Sequence, residues 1–138
     1  MKLTAISIAW VFAASFYAAA AIGFIPNPLL GPHGLFMANT AHNIVHLLTA
    51  VGFTVVALAA SRGSVVFMQA FGVIYLLTGV IGFLATSHGG AGHLLGLVQL
   101  NTLDNFLHLG LGAVIGAAGW YLHAQPAAVQ PSHATHQG

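Results

Sequence analysis

Four long apolar stretches, separated by shorter polar segments, organise the chain. They run from Leu3 to about Ile25, from Asn39 to Ala60, from Ser64 to Thr86 and from Leu103 to Leu122. A helix that crosses a bilayer needs about 20 mostly apolar residues, and each stretch is long enough. None alternates apolar and polar positions as a barrel strand does. In hydrocarbon the backbone must satisfy its own hydrogen bonds, so the stretches predict helices. The expected fold is all-α: an integral membrane four-helix bundle over residues 1–124. The tail, 125–138, is polar and rich in Ala, Pro, Gln and His, and is expected to be disordered. The first stretch resembles a signal peptide, with Lys2 ahead of it and a small-residue run at Ala18–Ala21. Its apolar run exceeds the h-region length of about 7–15 residues, so it reads as a retained helix.

Composition sharpens this. Of 138 residues, 58% are hydrophobic and 2% charged: Lys2, Arg62 and Asp104. Soluble domains carry about a quarter of their residues as charges. A soluble globular enzyme, a nucleic-acid binder and a disordered chain are therefore excluded, and no basic surface exists to meet phosphates. With no cysteine, disulfides, iron–sulfur clusters and thiolate metal sites are excluded too. Lys2 and Arg62 fall on the same side of a four-helix topology. The positive-inside rule makes that side, and both termini, cytoplasmic in a bacterial inner membrane. The longer loops, 26–38 and 87–102, then lie outside. The turn at Ser61-Arg62-Gly63 predicts that the second and third helices are antiparallel neighbours.

The chain also repeats itself. Asn39-Thr-Ala-His-Asn-Ile-Val-His-Leu aligns with Asn101-Thr-Leu-Asp-Asn-Phe-Leu-His-Leu. Asn39 matches Asn101, Asn43 matches Asn105, His46 matches His108, and His42 stands opposite Asp104. Upstream, Ile22-Gly23-Phe24 matches Ile81-Gly82-Phe83. The pattern predicts two tandem similar hairpins, a parallel internal repeat whose pseudo-twofold axis runs along the membrane normal. Together with Gly23-Phe24-Ile25-Pro26-Asn27, these segments resemble the small bacterial membrane proteins called "domain of unknown function 4383", over roughly Ile22 to Leu122. The resemblance implies four membrane helices and no established activity, cofactor or partner.

The chemistry must come from the polar residues. Asp104 is the only acidic side chain, and an ionisable group inside a membrane segment is by default a functional hypothesis. Asp104 and His108 are four apart on one helix face, as are His42 and His46 on another. If the faces meet, three imidazoles and one carboxylate make a four-ligand set able to close a tetrahedral metal site. Asn39, Asn43, Asn101 and Asn105 would orient the rings. The plainer reading gives Asn39 and Asn101 to helix N-caps and Asp104 to the helix dipole. The cluster is then a metal-free polar lock, each interhelical contact contributing about 0.6 kcal/mol.

Zinc or copper suits an imidazole-rich site without cysteine. Met37 offers a soft ligand but suits an interfacial apolar position as well. Haem ligated by His46 and His108 is disfavoured, because its propionates would lie far from the only fixed cations; a chlorin lacks that problem. His33, His88 and His93 in the outer loops are candidate ligands or lie on an access route. His133 and His136 in the tail lie on the opposite side, and His123 suits a helix C-terminus. Retinal chemistry lacks a membrane lysine, and a transmembrane proton path lacks polar groups in the inner halves of the helices. A closed four-ligand site argues against a metal hydrolase, so catalysis is not the favoured role. Gly112 and Gly116 form a GxxxG pair for close helix packing, within the bundle or between copies in a homo-oligomer. Two functions remain: a transition-metal site, or an accessory subunit of a larger membrane complex, for example respiratory or photosynthetic. Beyond lipid, the partners of the second reading would be other membrane-protein subunits.

Overall fold

The structure, a computed structural model, describes residues 4–86 and 90–124. Lys2, His88, His133, His136 and the tail segment 125–138 lie outside the described residues. Four helices make up the body: α1 (Ala5–Phe24), α2 (Thr40–Ala59), α3 (Ser61–Ala85) and α4 (Thr102–His123). All four are long and apolar enough to cross a membrane. At about 1.5 Å per residue, the shortest spans about 30 Å, the thickness of a hydrocarbon core. The outward faces remain apolar, with Leu58, Leu84, Val11 and Val114 all exposed. Water would penalise such a surface, whereas lipid solvates it.

Polar residues start and stop the helices. Thr4 caps α1, exchanging backbone and side-chain hydrogen bonds with Ser7. Asn27 ends the first span: its Nδ2 donates to the carbonyls of Ile22, Ile25 and Leu30, and its Oδ1 accepts from the N–H groups of Leu29 and Leu30. Asn39 and Asn101 cap α2 and α4, as their positions predict. Between α2 and α3 the chain reverses at the extended residue Ala60, where Ser64 Oγ donates to the carbonyls of Val56 and Ala60. Helix α3 therefore begins at Ser61, and the expected turn at Ser61-Arg62-Gly63 is its first turn.

The hairpins pack as pairs. Helix α1 lies along α2 and α3 along α4, whereas α2 and α3 touch over a much shorter length despite their tight connection. Glycines decide the α3–α4 contact. A Cβ on Gly72 would strike the backbone of Gly116, and one on Gly112 would strike Leu76 N and Gly72 O. Small residues let these backbones approach closely. Gly112 and Gly116 are thus buried against α3 of the same chain. Between the pairs sits an aromatic core of Phe16, Phe53 and Tyr75, extended by Phe67 and Phe71.

The connections at the other end are more ordered than their sequence suggests. β1 (Leu30–Gly31) pairs in parallel with β2 (Phe36–Met37), and β3 (Ala91–Leu94) pairs antiparallel with β4 (Val98–Asn101). Val98-Gln99-Leu100-Asn101 alternates apolar and polar, but four residues is the shortest run that can carry such a signal, and the other three strands do not alternate. The β3–β4 turn places Leu95 at φ 52° and Gly96 at φ 72°, both left-handed, as a type I′ turn requires. Leu97 N closes it by donating to Leu94 O.

Candidate metal centre at the capped end of the bundle

The first turns of α2 and α4 meet beneath these two strand pairs, and their polar contacts come in crossed pairs. Asn39 Nδ2 donates to Leu97 O of the second connection, and Asn101 Nδ2 donates to Leu35 O of the first, at 2.8 and 2.9 Å. One turn into each helix the crossing recurs. The His42 ring meets Gln99 O through Nδ1 at 2.7 Å, and Asp104 Oδ2 accepts from Met37 N at 2.8 Å. Gln99 and Met37 each stand two residues before a capping Asn. At one of these positions a ring N–H reaches a carbonyl, and at the other a carboxylate reaches an N–H. The next pair is alike: Asn43 packs on Gly23 and donates to its carbonyl, while Asn105 packs on Gly82 and donates to Thr86 Oγ1. A side chain on either glycine would collide with the amide.

Asp104 is 1% exposed, and its Oδ2 also accepts from Asn101 N at 2.8 Å. One carboxylate oxygen therefore ties the α4 cap to the first connection. Asp104 is occupied as a cap and lies outside the converging group of histidines.

That group is His42, His46 and His108, all buried, each offering one ring nitrogen within 4.8 Å of the others. Ring centroids are 4.6 Å apart for His42 and His46, and 5.5 Å for His42 and His108. His108 Nδ1 meets Asp104 O at 2.6 Å. A ring nitrogen facing a carbonyl must carry the proton, so His42 and His108 are fixed as Nδ1–H tautomers. Their Nε2 atoms then hold lone pairs. His42 Nε2 and His46 Nδ1 are buried without a hydrogen-bond partner. The rings are further held by aromatic neighbours that the sequence motif did not indicate: Tyr75 stacks on His108 and Phe16 lies against His46, at centroid distances of 5.4 and 5.8 Å. Tyr75 itself donates to Thr49 Oγ1.

The group lines a cavity of about 230 Å³ between α1 and α4. Val11, Phe12, Phe16 and Ala19 form one wall, and Leu107 and Leu111 the other. The other histidines among the described residues stand apart. His33 and His93 are exposed on the connections, and His123 is exposed in the last turn of α4. Met37 contributes its backbone N–H.

Fold and site together define a small four-helix membrane protein with a buried histidine cluster at one end of the bundle. The chain belongs to the family described as Domain of unknown function (DUF4383), whose model matches residues 6–121. Neither a curated protein nor a solved structure matches it.

Proposed function

We propose that this protein binds one transition-metal ion, zinc or copper, through His42, His46 and His108. The observation that carries the reading is the convergence of three buried histidines, each offering a ring nitrogen, two of which also have a buried ring nitrogen with no partner, His42 Nε2 and His46 Nδ1. Lone pairs brought together without a donor repel one another, and burying an unpaired polar atom costs about 1–3 kcal/mol. An electrophile bound by all three removes both penalties. Backbone carbonyls at the far nitrogens of His42 and His108 are the outer support that metal-binding imidazoles usually have. Three protein ligands leave a fourth position for an exchangeable group, unlike the closed set that would include Asp104.

The crossed Asn and Asp contacts favour a second role for the surrounding residues, a polar lock between the hairpins. The same pairing supports descent from a duplicated hairpin. Arg62, at the opposite end of the bundle from the cluster, supports a bacterial inner-membrane protein with the cluster facing outward. An accessory role in a larger complex is compatible with both.

Elemental analysis of tag-free protein in mild detergent tests the metal reading. About one ion per chain is expected, lost in His46→Ala and His108→Ala while the helical spectrum persists. Equal metal content in wild type and both variants refutes it and leaves the lock alone.

A further inference from the structure

The cavity beside the histidines opens between α1 and α4, a helix pair with little mutual contact, and apart from the histidines, Asp104 and Ser15 its lining is apolar. It faces lipid, since Val11, on its α1 wall, is 62% exposed on a spanning helix. The unpartnered buried atoms in its lining are His42 Nε2 and His46 Nδ1. The hydroxyl there, that of Ser15, already donates to Val11 O. We infer that this cleft admits a membrane-dissolved hydroxyaromatic molecule, of the phenol or quinol class, whose neutral hydroxyl oxygen completes the metal's coordination. This rests on the three-histidine metal site proposed above.

Three features select that chemistry. The lining already carries one carboxylate, that of Asp104, among apolar walls, so the head group of a phosphate or carboxylate lipid would meet like charge there, whereas a neutral hydroxyl would not. An acyl chain would fill the space but bring no donor to the metal's fourth position. Phe12 and Phe16 offer ring faces and edges to a flat aromatic guest. Size agrees: a dry cavity of about 150 Å³ holds benzene, and 230 Å³ holds a ring with a short substituent.

The test uses the full chain loaded with Co(II) in phosphatidylcholine nanodiscs. The cobalt d–d absorption is recorded while 4-butylphenol, butylbenzene or azide is added. Butylphenol is expected to change the spectrum saturably and butylbenzene to leave it unaltered. Val11→Trp and Leu107→Trp, both at lipid-facing positions, should keep cobalt yet weaken the butylphenol midpoint by about tenfold or more. Cobalt loading without a butylphenol response overturns the inference and leaves the metal site standing. A response to azide that equals that to butylphenol and persists in both Trp variants also overturns it, because the fourth position then opens to water. Failure to load cobalt refutes the metal reading itself, and the inference with it.

Discussion

Asp104 separates a three-histidine site from a four-ligand one. Its Oδ2 accepts two backbone N–H groups, from Met37 and Asn101, each at 2.8 Å, and the residue is 1% exposed. Hydrogen bonds to a charged acceptor contribute about 1.5–3 kcal/mol each. The carboxylate at the third position of α4 adds about 0.3–1 kcal/mol with the helix dipole. Asp104→Ala removes all of these and strands two N–H groups, so a loss of about 3–7 kcal/mol is expected. Asp104→Asn keeps an oxygen able to accept both bonds, at about half the strength, and should lose about 2–4 kcal/mol. Unfolding by SDS titration in mixed micelles, followed by far-ultraviolet circular dichroism, measures both. Metal content, measured on the folded fraction, should match wild type in Asp104→Asn, since the carboxylate supplies no ligand. The reasoning fails if Asp104→Asn loses its metal as fully as His46→Ala while its unfolding midpoint is unchanged.

Other perturbations act on separate parts of the structure. Gly72→Leu drives a side chain into the backbone of Gly116 and should destabilise the α3–α4 pair by about 1–3 kcal/mol or more; the same SDS titration reads it, and the mass of the detergent complex should not change. Chelation should lower wild-type stability by about 2.7 kcal/mol where free metal had stood at about 100 times its dissociation constant. It should have no effect on His46→Ala. Gly96→Val puts a branched side chain at φ 72°, at a cost of about 1–2 kcal/mol. Leu97 and Gln99, which follow this turn, hold Asn39 and His42. Metal affinity should therefore fall while helicity is retained, as isothermal titration with zinc and circular dichroism would measure.

Much was legible in the linear chain because the bilayer imposes simple rules. Twenty apolar residues without charge have one economical solution in lipid, so the four helices could be read directly. Asn39 and Asn101 announced the starts of α2 and α4, since capping is a local interaction between residues three apart. The aligned Asn/His motifs also named the three histidines that meet. Tertiary structure decided the rest. Whether Asp104 would turn to the histidines or to backbone depended on Met37, distant in sequence, and two N–H groups engage it. Whether Gly112 and Gly116 would serve a second copy or this one depended on Gly72 lying opposite. The short strands of the connections left little periodicity to read beyond the alternation at Val98–Asn101, and the cleft beside the histidines arises from how far α1 stands from α4. Local rules concern neighbours along the chain; contacts across helices depend on which faces meet, and that is settled when all four pack together.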